Sequence, residues 1–306
     1  MRSRSLGTRV GIGLAWVAGL SLVAMILGIV VWLGVKGASA LSWDFVSQDP
    51  TPGTIEEGVL GGIRGPLVGT LLVTTIGVAV ALPIGLGAAI FLAEYRRPRW
   101  LARVVEQGIE LLFGIPSIVF ALFGLAVFTS SALIPLSSEI GSSGKAYGQS
   151  FIVAGLMMSL IAIPPIARSA EEAIRAIPDD LREASYALGK GRLTTIRRIT
   201  LPGARPGIAT GVILGGGKIA GDTAIVWLLL GGVITWENAQ WYSPEHWLDT
   251  LRGTGATLTT YVYFASPVGD GNAETSAYGA AFVLILLMIL VNGAVLVASR
   301  RGGWKR

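Results

Sequence analysis

Cysteine is absent from the 306-residue chain, and histidine occurs once, at His246. No disulfide can form, and there is no cluster of thiolates or imidazoles to hold a structural zinc ion. Charge is scarce too, at 14% of residues against 52% apolar, with a mean hydropathy of +0.64. Soluble domains carry about 25% charged residues, so the composition excludes an ordinary soluble protein and points to the bilayer. The net charge of +5 would suit a nucleic acid, but in a membrane chain basic residues mark the cytoplasmic side, and no nucleic acid is expected. Catalytic groupings are missing as well. Gly217-Lys218 imitates a phosphate-binding loop, yet Val212 stands where its first glycine is needed and Ile219 where its hydroxyl is needed. No serine sits in a nucleophile and base arrangement, and the paired acids Glu56-Glu57 and Asp179-Asp180 fall in loop or cap positions. The chain is expected to be no enzyme and to hold no metal or cofactor.

What is present is a set of six apolar runs near the roughly 20 residues needed to cross a hydrocarbon core of about 30 Å. They cover 10–35, 66–93, 111–131, 151–167, 207–233 and 277–298. The fourth is short and reads as broken by Pro164 and Pro165; the fifth is interrupted by charge. The first follows Arg2, Arg4 and Arg9 and precedes Ala38-Ser39-Ala40, which imitates a leader cleavage site. It is much longer than the roughly 7–15 residues of a leader's apolar core, so it is expected to stay as a helix.

Lysine and arginine then set the orientation. Arg96, Arg97, Arg99 and Arg103 follow the second run, eight basic residues lie between Arg168 and Arg205, and Arg300, Arg301, Lys305 and Arg306 close the chain. The other side has only Lys36, Arg64, Lys145 and Arg252, with the acids Asp44, Glu56, Glu57, Glu237 and Asp270. Both termini are expected in the cytoplasm: 1–9 and 299–306 are tails, 36–65 is an external loop, and 66–298 is a core of five spans.

One polar, basic stretch interrupts this core, REASYALGKGRLTTIRRITLPG at 182–203. Pro178, the first-turn acids Asp179 and Asp180, and Leu181, Ala184 and Leu188 at helical spacing predict a helix. Gly189 and Gly191 predict a turn. A second helix over 193–199 is expected to stop at Leu201-Pro202-Gly203, since proline cannot continue it. An amphipathic helix lying on headgroups would explain the charge but not this spacing of glycine and proline.

Glu183-Ala184-Ser185, three residues, Gly189, nine residues, Ile199, one residue and Leu201-Pro202 resemble the EAA loop of ABC-importer permeases, with Ser185 in place of the second alanine. Gly69-Thr70-Leu71, the stretch from Ala88 to Tyr95, Gly114-Ile115-Pro116-Ser117 and Glu171-Glu172-Ala173-Ile174-Arg175 are similar to the Pst-type phosphate importer permeases. Gly221-Asp222-Thr223-Ala224 and the short first tail look more like PstA than PstC. The resemblance implies an all-α, six-span permease of the MetI-like fold, coupled through the 171–206 loop by Glu183, Ala184, Ser185, Gly189, Ile199, Leu201 and Pro202. It also implies a PstC-like second permease, a PstB-like ATPase dimer carrying ATP and magnesium, and an external PstS-like phosphate-binding protein. A PstC-like role, another oxyanion such as molybdate or phosphonate, and a membrane scaffold that transports nothing are the alternatives.

Ionisable groups deep in a span cost several kcal/mol unless they face protein or water. Lys218 lies about eleven residues into the fifth run, near mid-membrane, with Asp222 one turn on and on the same face. Lys218 would attract phosphate, Thr223 would donate to it, and Asp222 would hold the ammonium; a neutral structural pair is the plainer reading. In the family these positions are usually arginine and glutamate, and lysine lacks the bidentate fork. Arg168 matches a second pathway arginine of the family, or else is a snorkelling residue at the cytoplasmic edge. With Ser117, these four residues make up the candidate pathway.

Overall fold

Backbone surrounded by lipid must satisfy its own hydrogen bonds, and every named element of this chain is a helix. The structure, a computed structural model, describes residues 6–51, 61–130, 132–137, 148–231, 244–269 and 273–301. Glu56, Glu57, Glu237, Asp270, Lys145 and the terminal Arg2, Arg4, Lys305 and Arg306 lie outside the described residues, as do the ends of two expected spans at 131 and 233.

In chain order the helices are α1 (Leu6–Gly37), α2 (Trp43–Ser47), α3 (Arg64–Ile90), α4 (Arg99–Gly114), α5 (Ser117–Phe128), α6 (Phe151–Arg175), α7 (Asp179–Ala187), α8 (Arg192–Thr195), α9 (Leu201–Gly221), α10 (Ala224–Leu230), α11 (Trp247–Arg252), α12 (Leu258–Ala265) and α13 (Glu274–Arg301). Among the described residues, α1, α3, α6 and α13 are long and apolar enough to cross a membrane alone. The bent pairs α4 with α5, and α8–α9 with α10, raise the number to six if each is one span.

α6 is the axis of the bundle. Of its most apolar stretch 78% is buried, against none of the corresponding stretch of α1. α3 and α9 clasp it from either side, and the fit depends on glycine. Ile166, fully buried, inserts between them so closely that a Cβ on Gly85 or Gly215 would lie 3.0 Å from its side chain. Small residues that let helices approach are how such bundles gain dispersion contacts without a hydrophobic drive from lipid. α1 lies outside the bundle against α13, where Trp32 meets Tyr278 edge-on at 5.0 Å.

Proline acts in three different ways here, two of them contrary to expectation. The third run is sharply bent: Ile115 and Pro116 are extended, and α4 and α5 meet at 103°. A residue before proline is driven out of the helical region, and α5, at 12 residues, reaches only about 18 Å, too short to cross alone. The fourth run shows the reverse. α6 passes unbroken through Pro164 and Pro165, both buried, to Arg175. Each proline deletes one intrahelical bond, but packing from α3 and α9 keeps the helix continuous, as neighbouring helices do for prolines in membrane spans. The expected stop at Leu201-Pro202-Gly203 is absent as well. α8 continues through a π turn, Ile196–Thr200, directly into α9, with Pro202 in its first turn. The wider π turn takes up the irregularity that proline imposes.

Candidate functional site

The polar stretch folds as an elbow of two helices, α7 and α8. Pro178 occupies the N-cap position of α7, with Asp179 and Asp180 in the first turn. The C-terminus closes with a Schellman motif: Lys190 N–H donates to Ser185 O at 3.1 Å and Gly189 N–H to Tyr186 O at 2.9 Å. This requires a left-handed residue, and Gly189 has φ +72° with open space where a Cβ would sit. Glycine is therefore needed here for backbone conformation. The Ser185 hydroxyl bonds Thr195 at 2.8 Å across the elbow, and both residues are buried. Ser185 thus closes the elbow internally, whereas Glu183 and Ala184 are exposed. Leu181, Tyr186, Leu188 and Leu193 add an exposed apolar surface, with Leu188 at 77% and Leu193 at 72%. Leu201 packs at the root against Ala89, Ala170 and Ile174, and Ile199 and Pro202 are half-buried beside it.

The expected Lys218–Asp222 pair is not formed. α9 ends at Gly221, and Asp222 is extended, with its carboxylate accepting from Ile225 N–H at 2.9 Å to cap α10. Once the helix stops, one-turn spacing no longer places two residues on one face. Lys218 instead sets its ammonium 4.3 Å from the centroid of the Phe113 ring, with no carboxylate within ion-pair distance among the described residues. Phe113 is the penultimate residue of α4, immediately before the bend. Thr223 lines an open cleft of about 630 Å³ with Ile118, Trp227, Thr259 and Tyr263. Ser117, half-buried, is the first residue of α5 on the far side of the bend.

Arg168 lies elsewhere. Gly211 packs against Ile166 and Ser169, so Arg168 is level with that glycine, about 10 Å along α9 from Lys218. Its guanidinium bonds Glu110 at 2.9 Å and Glu171 at 3.4 Å, with Glu106 at 3.9 Å. Glu171 is shared with Arg175 at 2.5 Å. Three carboxylates thus hold Arg168 as a joint between α4 and α6. Sequence reasoning missed Glu106 and Glu110, named Glu171 only within a family stretch, and missed that Arg182 reaches buried Glu94 at 3.1 Å. Two acids four residues apart, Glu106 and Glu110, on an otherwise amphipathic helix, were the available signal.

A buried central helix clasped by two others, with a polar elbow projecting from one end and an exposed apolar surface upon it, marks a class of helical membrane subunits. The chain belongs to the family of binding-protein-dependent transport system inner membrane components, whose model matches residues 81–301. It is a multi-pass membrane protein and a permease subunit of an ABC importer, a class that works with a partner permease and an ATPase. Among its relatives is the phosphate transport system permease protein PstA 1 of Mycobacterium tuberculosis (strain ATCC 25618 / H37Rv), 33% identical over 81% of this chain and 74% of the relative. The phosphate transport system permease protein PstC of Xylella fastidiosa (strain 9a5c) is 31% identical over 78% and 72%. In fold the chain is similar to the MetNI methionine ABC transporter in its inward-facing conformation, with TM-score 0.58 and 21% identity over 79% of this chain and 96% of the other. A bacterial alginate ABC transporter matches with TM-score 0.59 and 17% identity over 95% and 97%.

Proposed function

We propose that this chain is the PstA-like permease subunit of an ATP-driven phosphate importer. The observation that carries the reading is the 33% identity to a phosphate permease over four-fifths of the chain, together with a folded elbow whose Leu188 and Leu193 are left bare. A PstC-like sister permease would complete the translocation path, a PstB-like ATPase dimer would dock on the elbow, and a PstS-like protein would deliver phosphate from outside. ATP and magnesium belong to the ATPase. The distribution of lysine and arginine supports elbow and termini in the cytoplasm.

Each element has a physical task in this cycle. Closure of the ATPase pair on ATP pushes the two subunits' elbows together, and the force passes through α7 and α8 into α9, which continues from the elbow without a break. α9 carries Lys218 at its far end. Lys218 holds its charge against an aromatic face, a cation–π contact worth only about 0.5–2 kcal/mol, which a phosphate oxyanion can displace. Asp222 is bound to the start of α10 and leaves Lys218 without a carboxylate partner among the described residues. Thr223 and Ser117 offer hydroxyls near the break and the bend. Arg168, neutralised by its acids in this conformation, would become available only if α4 moved away from α6.

Phosphate uptake by the complex reconstituted with its partner subunits tests the reading. ATP-dependent accumulation of phosphate, blocked by arsenate and not by molybdate, is expected; uptake of molybdate in its place would reassign the substrate.

A further inference from the structure

α3 is apolar for most of its length, and the turn that continues it beyond Ile90 carries a polar pair, Glu94 and Tyr95. Both lie in a π turn, Phe91–Tyr95, which stops at Arg96 in the left-handed region with φ 44°. The Glu94 side chain is only 5% exposed, and its carboxylate accepts from Arg182 Nε at 3.1 Å. Arg182 also donates to the carbonyls of Ile174 at 2.8 Å and Ile177 at 2.6 Å and to the Asp179 carboxylate at 2.8 Å. A single guanidinium therefore ties together the ends of α3 and α6 and the first turns of α7. One residue further on, the Tyr95 ring takes the Arg192 guanidinium at 4.5 Å from its centroid, and Arg192 opens α8. Adjacent residues at the end of one span thus grip both limbs of the elbow.

We propose that Glu94 and Tyr95 form a two-point latch that fixes the coupling elbow to the end of α3, so that elbow and α3 move as one lever. The inference rests on the permease reading above and adds the positioning residues that make coupling mechanically effective. A partner pressing on an elbow that can swing at its root would bend the root and leave the bundle unmoved. The two contacts differ in kind. A buried ion pair resists opening because either charge alone is left uncompensated, while the cation–π contact, more exposed, contributes less. The π turn supplies the geometry: its extra residue per turn takes Glu94 and Tyr95 out of the apolar register of α3 and onto the elbow.

Hydrogen–deuterium exchange in the assembled complex tests the latch directly. In a Glu94→Gln/Tyr95→Leu double variant, amides of 182–192 are expected to exchange at least about tenfold faster, the scale of one charge-assisted hydrogen bond, while those of α6 stay as in the unaltered chain. Tyr95→Phe, which keeps the ring, is expected to exchange like the unaltered chain. Phosphate taken up per ATP hydrolysed should fall about tenfold in the double variant while the ATPase still co-elutes. Unchanged exchange at 182–192 would overturn the latch. If α6 also loses protection, Tyr95→Leu alone decides: about threefold faster exchange in the elbow supports the proposal, and none refutes it. A complex of the unaltered chain that takes up no phosphate would defeat the functional reading, while the exchange result would still decide the latch.

Discussion

At the scale of single residues, two positions stand out by residue type and are explained only by geometry. Gly189 stands out in the sequence as a turn glycine at the family spacing. Its φ of +72° in empty space shows that backbone conformation is what requires it. Gly189→Ala is expected to destabilise the elbow by about 1 kcal/mol, with Gly189→Asn costing less, because asparagine tolerates the left-handed region; limited proteolysis at 182–192 would measure the difference. Lys218 was legible as a buried-span charge, but its partner was not. Helical spacing pointed to Asp222, and the break at Gly221 sent that carboxylate to α10. Lys218→Gln should reduce phosphate uptake at least about tenfold with the ATPase still bound, and Lys218→Arg should retain uptake, since guanidinium restores a charged, forked donor. Equal uptake by the glutamine variant would remove Lys218 from the pathway.

At the scale of elements, apolar length located the helices and proline misled about their ends. Pro116 breaks its run because Ile115 and Pro116 are both extended and exposed; Pro164 and Pro165 do not, because they are buried between α3 and α9. The same residue type gives opposite results according to what surrounds it. Packing around α6 should therefore dominate stability. Ile166→Ala, at a fully buried position, is expected to cost about 2–5 kcal/mol through lost contacts and a cavity, seen as a lower unfolding temperature in detergent. Gly155→Val should be worse, since even a Cβ there would stand 2.4 Å from Ile76 Cγ2. Trp16→Ala on α1, at a position 67% exposed, should change the unfolding temperature little.

At the scale of the whole molecule, sidedness is the consequence most open to test. With no native cysteine, a single introduced thiol reports its own location. Lys190→Cys in the elbow is expected to react with an impermeant maleimide only when the cytoplasmic face is opened, and Asp44→Cys only from outside. Labelling of both from one side would refute the orientation read from lysine and arginine. The six-span reading is subject to the same measurement, because the bent pair α4 and α5 reverses direction by 103° and must still carry the chain across for Lys190 and Asp44 to lie on opposite sides.

The sequence by itself determined that the chain is helical and membrane-embedded, that one basic helical elbow projects from it, and that charge sits within the fifth run. These follow from composition, periodicity and the spacing of glycine and proline, which are local properties. Tertiary structure alone decided which prolines bend the chain, which cations have carboxylate partners, and how the elbow is fastened. Each of those outcomes depends on groups far apart in sequence, Arg182 with Glu94 and Arg168 with Glu110, and packing brings such groups into contact in ways that no local pattern encodes.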